Sequence, residues 1–199
     1  MMTKRPERSI CVFTGSRHGG SPEYAQAAAE CAGELVKRGF GVVYGGGNVG
    51  LMKVLANTAL EAGGYVIGVI PDALVTKEVA HTGLSELRVV QSMHERKALM
   101  AELAAGFVAL PGGIGTMEEF FEVLSWAQLG LHNKPCGLLN VDGYYDSLIN
   151  FLDHAVAQDF VKPKHRALLM IENQVMQLLD RFKTILAAPP GKKFDASIT

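Results

Sequence analysis

Two stretches of this chain combine residue types that can bind an anion and move a proton. Residues 110–119 read LPGGIGTMEE, where a glycine-rich turn runs into a helical pattern that carries Glu119. Glycine lets the backbone approach a ligand closely, and a helix start offers unpaired N–H groups and the positive end of its dipole. The turn is therefore a candidate anion cradle, and Glu119 a carboxylate one helical turn beyond Thr116. Residues 93–97 read MHERK and open another helix. Arg96 and Lys97 near a helix start oppose its dipole at a cost of a few tenths of a kcal/mol to about 1, so an anion is expected beside them. The capping-box pattern S/T-x-x-E also fits Thr116 and Glu119. On that reading Glu119 folds back on the helix start, and the two arrangements could alternate with ligand binding.

Two further glycine loops follow strand-like runs: TGSRHGGS, containing Gly15 and Ser16, and GGGNVG, containing Gly46 and Gly47. Either can cradle phosphate, and either can be no more than a tight turn. Gly45-x-Gly47-x-x-Gly50 also matches the dinucleotide fingerprint, with Asp72 about twenty residues on. It stands on the second turn rather than the first, which weakens that match. No H-E-x-x-H, Gly-x-Ser-x-Gly or G-K-[ST] pattern occurs, so no zinc site, serine triad or Walker loop is expected. Neither a metal nor an organic cofactor is needed.

The elements that position these residues alternate in period. Residues 9–15, GVVY, YVIGVI, GFVAL and the run after Pro135 read as buried strands, and a helix over residues 21–38 stops at Gly39. Further helices are expected over residues 92–103, 117–129, 144–158 and 173–186, with an unpatterned loop over 72–86. The result is an α/β, Rossmann-like, doubly wound, mostly parallel sheet of about seven strands with helices on both faces. One domain is expected over residues 1–186, followed by a tail over 187–199 that reads as disordered. Ligands of such sheets bind beyond the carboxyl ends of the strands.

Composition sets outer limits. With 19 basic and 20 acidic residues the formal charge is −1, which offers no broad field for nucleic acid or an anionic membrane. Three cysteines without a C-x-x-C pair read as reduced core thiols, and no signal-peptide core or membrane span is evident. A soluble, cytoplasmic protein is expected. Phe120, Phe121, Leu124 and Trp126 read as core or subunit-interface packing.

MHERK, PGGIGTMEE and SWAQLG at this spacing resemble the LOG (Lonely Guy) family, whose motifs M-H-x-R-K and P-G-G-x-G-T-x-x-E stand complete here. The resemblance covers roughly residues 9–182, including GLLNVDGYY. It implies hydrolysis of the N-glycosidic bond of cytokinin riboside 5′-monophosphates and related nucleotides such as AMP, giving base and ribose 5-phosphate. It also implies Arg96 and Glu119 as the catalytic pair. Glu78, Met93, Lys97, Ser125, the loop Gly112, Gly113, Ile114, Gly115 and Thr116, and Gly15, Ser16, Gly46 and Gly47 would bind the substrate, in a homodimer. Departures are Lys53 where many members have Gly, Ser125 where Thr is usual, and TGSRHG for a more usual CGSSxG. The family's label "possible lysine decarboxylase" has no support here, since a pyridoxal enzyme needs a larger, cofactor-specific fold. Two alternatives remain: a nucleotide or molybdenum-cofactor carrier without catalysis, and an NAD(P)-binding protein.

Overall fold

The computed structural model describes residues 4–75 and 79–187. Seven strands form one sheet in the order β4-β3-β2-β1-β5-β6-β7. They are β1 (Ser9–Phe13), β2 (Gly41–Tyr44), β3 (Val66–Pro71), β4 (Glu86–Val90), β5 (Gly106–Ala109), β6 (Cys136–Leu139) and β7 (Leu169–Glu172). Every pairing between them is parallel, so the sheet is parallel throughout rather than mostly so. Strands 1, 2, 3, 5 and 6 are buried along their whole length, as expected when helices cover both faces.

Helices α1 (Pro22–Lys37), α2 (Gly50–Glu61) and α8 (Val175–Leu186) cover one face around Leu35, Leu55 and Phe182. Helices α4 (Met93–Leu103), α5 (Ile114–Gln128) and α6 (Asp146–Ala157) cover the other around Phe107, Met100 and Phe120. Two helices of a single turn, α3 (Asp72–Val75) and α7 (Pro163–Arg166), are too short to register as a hydrophobic period. Helix α1 ends as its sequence suggests. Gly39 takes φ +79°, and the N–H groups of Gly39 and Phe40 donate to Val36 and Leu35, closing a Schellman motif. Ser21 does occupy the N-cap position of α1, but its side chain makes no capping bond.

The chain winds outward from β1 to β4 and returns to place β5 on the other side of β1. The strand order thus reverses between β1 and β5, the position at which doubly wound sheets bind ligands. Both loops leaving that point are glycine-rich. They touch: the Gly15 N–H donates to Pro111 O at 3.2 Å, and a Cβ on Gly15 would lie 3.3 Å from the Gly112 Cα. No helix among the described residues is long and apolar enough to cross a membrane. The tail expected over residues 187–199 lies outside the described residues except for Ala187.

Beyond α5 the chain buries His132 at 2% exposure, with Nε2 2.9 Å from Val123 O and Nδ1 accepting from the Lys134 N–H at 3.1 Å. Both ring nitrogens are thus used by a neutral imidazole. Burial depresses its pKa to about 4, the bond to Val123 opposing and the Lys134 charge assisting. The unfolded chain binds this proton near pH 6.5 and the folded one does not. This contribution to stability is therefore complete above about pH 6.5 and is lost as pH falls toward 4. In denaturant titrations the His132→Gln variant is expected to lose less stability than the parent over that window. An unchanged slope would remove His132 as the cause.

Candidate active site

Helix α4 begins with a reciprocal cap. Ser92 Oγ accepts from the Glu95 N–H at 3.1 Å, and Glu95 Oε2 accepts from the Gln91 N–H at 2.8 Å. The capping box next to the site is therefore Ser92–Glu95. That cap fixes the first turn of α4, and Arg96 leaves it toward the carboxyl ends of β2 and β3. Its Nε donates to Val69 O at 3.1 Å and its Nη2 to Gly45 O at 2.9 Å. Met93 lies alongside, its sulfur 3.7 Å from Nη1. Gly45 is a glycine for a steric reason, because a Cβ there would stand 2.1 Å from Arg96 Nη2.

Arg96 Nη1 lies 3.4 Å from Glu119 Oε1, with the two side chains only 6% and 12% exposed. The two residues that sequence pairs as catalytic are thus brought into contact, 23 positions apart in the chain. Cys11 lies beneath them. Burial first, and then the Glu119 charge, pushes its thiol well above the usual range, so it stays an inert floor.

Helix α5 begins three residues earlier than the pattern suggests, at Ile114, with Gly113 as N-cap and no side chain capping it. Thr116 lies inside the first turn, buried, and its Oγ1 fills the space a Cβ on Gly112 would need, 2.1 Å away. Thr116–Glu119 is therefore not a capping box. Glu119 reaches Arg96 rather than the helix start, and the alternation between cap and catalyst is not supported. Gly113 and Gly115 are exposed, and a Cβ on either would meet no protein atom within 4 Å. What favours glycine there is not the protein's own packing, and close approach by a ligand supplies a reason.

Gly15, Arg17, Tyr24, Gly113, Ile114 and Tyr144 are among the residues lining a cavity of about 550 Å³ at the β1–β5 reversal, within the usual range for small-molecule sites. Ser16 is an exposed member of its wall. Arg17, Tyr24, Tyr144 and Gly45 were not singled out from sequence as site residues. The only signal for Tyr144 was its place in GLLNVDGYY.

Other candidates stand apart from the pair. Gly46 and Gly47 are buried: Gly46 O accepts from His81, and Gly47 bridges Ala80 while its carbonyl accepts from Tyr44 Oη. Their observed role is to fold the loop, and this also accounts for the dinucleotide-like spacing without a dinucleotide. Lys97, expected to face a ligand anion, is bound to Glu118 and, at 3.1 Å, Glu122 of α5. Burial works against its ammonium, but the hydrogen bonds it donates to Glu118 and Glu122 outweigh this and leave the pKa raised. Lys97→Met is accordingly expected to destabilise the fold by about 1–3 kcal/mol, read as a lowered Tm; an unaltered melt would contradict this structural role. Ser125 is exposed, about 14 Å along α5 from Thr116 at 1.5 Å per residue. Glu78 lies outside the described residues.

The fold and the reversal-point cavity define a Rossmann-like α/β protein with a buried Arg–Glu pair beside an uncapped helix start. A family model described as "Possible lysine decarboxylase" matches residues 52–182. "Probable cytokinin riboside 5′-monophosphate phosphoribohydrolase LOGL9" of Oryza sativa subsp. japonica is 55% identical over 163 residues, covering 82% of this chain and 72% of that protein. Cytokinin riboside 5′-monophosphate phosphoribohydrolase LOG7 of Arabidopsis thaliana is 47% identical over 177 residues, covering 89% and 82%. Among solved structures, the molybdenum cofactor carrier protein MCP of Chlamydomonas reinhardtii superposes with a TM-score of 0.69 at 22% identity, covering 93% of this chain and all of that one. That likeness shows a shared fold. The chain belongs to the LOG family.

Proposed function

We propose that this protein hydrolyses the N-glycosidic bond of nucleoside 5′-monophosphates, releasing the free base and ribose 5-phosphate. The observation that carries this reading is the Arg96–Glu119 contact one and a half turns along α5 from an uncapped helix start. The N–H groups of Gly112 through Thr116 bind the phosphate. Glu119 then stands beside the ribose, about 7.5 Å along the axis from Ile114.

As the bond between C1′ and the base nitrogen breaks, the electron pair leaves with the base and positive charge develops on the sugar. Glu119 stabilises that charge and takes a proton from the attacking water, whose oxygen bonds to C1′; that proton passes on through solvent to the departing base nitrogen, so the base leaves neutral and the carboxylate is restored. Arg96 fixes the Glu119 carboxylate and donates hydrogen bonds toward charge developing on the sugar or base. It is not the proton donor, because its pKa exceeds about 12. Met93 stands beside Arg96, and Gly15 and Ser16 line the cavity at the reversal point. Glu78 and Ser125 are proposed to contribute to nucleotide recognition, with Gly46 and Gly47 supporting the loop under Arg96 and Lys97 joining α4 to α5 through Glu118 and Glu122. Cytokinin nucleotides and AMP are the substrates that the relatives' names and the site together suggest.

A homodimer belongs to this reading, supported by Ile114 on α5, Leu129 just past its end and Phe151 on α6, which stand 91%, 70% and 63% exposed. All three cysteines are free and buried, which suits a reducing compartment such as the cytoplasm. Comparing kcat/KM for AMP, an isopentenyl-AMP and adenosine tests the proposal. Phosphate binding is expected to favour both nucleotides over adenosine by about 10²-fold or more. Equal turnover of adenosine would sink the phosphate assignment.

A further inference from the structure

The three carbonyls that lead into α5 are each held from behind. Tyr145 Oη donates to Leu110 O at 2.6 Å. Pro111 O accepts from Thr14 Oγ1 at 3.3 Å and from the Gly15 N–H at 3.2 Å. Tyr144 Oη donates to Gly112 O at 2.5 Å. In a planar trans peptide the carbonyl and the following N–H point in opposite directions. Holding Pro111 O and Gly112 O therefore turns the N–H groups of Gly112 and Gly113 away from these donors. They join the first N–H groups of α5, which have no partner within the helix.

The chain brings two adjacent tyrosines to this loop by a sharp reversal after β6. Asp142 and Gly143 both take left-handed conformations, with φ of 50° and 68°. Buried Asn140 accepts the Tyr145 N–H at 2.8 Å and donates to Asp146 Oδ1 at 2.8 Å, locking the turn. The tyrosine rings meet edge to face at 4.8 Å, and Tyr144 meets Tyr24 at 5.5 Å. Burial, and then the neighbouring Tyr144, raises the pKa of Tyr145, so its hydroxyl remains a donor.

We propose that Tyr144 is a positioning residue that presets the Gly113 N–H of the phosphate loop, while Tyr145 anchors the Leu110 carbonyl ahead of Pro111, which has no N–H to turn. The inference rests on the phosphate reading of that loop. A preset cradle holds the phosphate alike before and during bond cleavage, so its loss appears in KM rather than kcat. Tyr144→Phe keeps the ring packed against Tyr24 and Tyr145 and removes only the donor. It is expected to raise KM for AMP, and the inhibition constant of ribose 5-phosphate, by about 5- to 10-fold, while kcat changes by less than about 2-fold. Tyr145→Phe leaves Leu110 O buried without this donor and is expected to lower Tm, with a smaller effect on KM than Tyr144→Phe. If that variant does not fold, Tyr144→Phe decides. Parental KM and inhibition constant in Tyr144→Phe, or a fall confined to kcat, overturns the proposal. Ribose 5-phosphate titrated against the parent separates the two failures: no inhibition there removes the phosphate reading itself, whereas parental inhibition unchanged in Tyr144→Phe removes only the tyrosine clamp.

Discussion

Glu119→Gln is expected to lower kcat for AMP by about 10²- to 10⁴-fold, the range for loss of a positioned acid–base group, with KM nearly unchanged. The amide matches the carboxylate in shape but can neither accept the water's proton nor carry the charge that faces the developing oxocarbenium. KM holds because the phosphate is gripped at Gly112–Thr116, at the preceding helix start rather than at Glu119 itself. The variant should still fold, since Arg96 keeps its bonds to Val69 O and Gly45 O. Parental kcat in a folded Glu119→Gln protein would place the proton chemistry elsewhere.

Arg96→Ala is expected to damage both rate and fold. It removes the only side chain that ties the ends of β2 and β3 to α5 through Gly45 O, Val69 O and Glu119 together, among the described residues. It also removes the guanidinium that stands 3.4 Å from the Glu119 carboxylate, itself 12% exposed. Breaking a buried ion pair from one side costs about 3–5 kcal/mol. For a chain of this length that lowers Tm by about 6–20 °C. Loss of the electrostatic contribution should lower kcat/KM by about 10²- to 10³-fold as well. Arg96→Lys keeps the charge but not the planar fork that reaches three acceptors, so it should recover stability only in part and rate little. Thermal melts and AMP kinetics on the two variants separate these effects. A melt of Arg96→Ala that superimposes on the parent's would contradict the structural half of the assignment.

Local signals carried the architecture well. Buried strands read as apolar runs, α1 stopped where Gly39 permits a left-handed turn, and the two charged helix starts pointed to the residues that meet. The start of α5 was misread because Thr-x-x-Glu imitates a cap and Gly-Ile-Gly carries little helical preference; the helix forms there because packing of Thr116 against Gly112 fixes its first turn. Roles that depend on distant partners were not legible. Gly45 needs Arg96, 51 positions on, to explain its missing side chain, and Tyr144 needs Gly112, 32 positions back. Lys97 looked like an anion ligand until Glu118 and Glu122, 21 and 25 positions on, supplied the anions. Periodicity and caps are written within a few residues of themselves, whereas these contacts are set by which helix follows which strand across the reversal point.

The most direct test is to incubate the purified protein with AMP and resolve the products by chromatography. The account predicts adenine and ribose 5-phosphate in equal amounts, formed in many turnovers and lost in Glu119→Gln. AMP recovered intact from a tight complex would instead make the protein a carrier, and adenosine with inorganic phosphate would place the cleavage at the wrong bond. Either result contradicts the account.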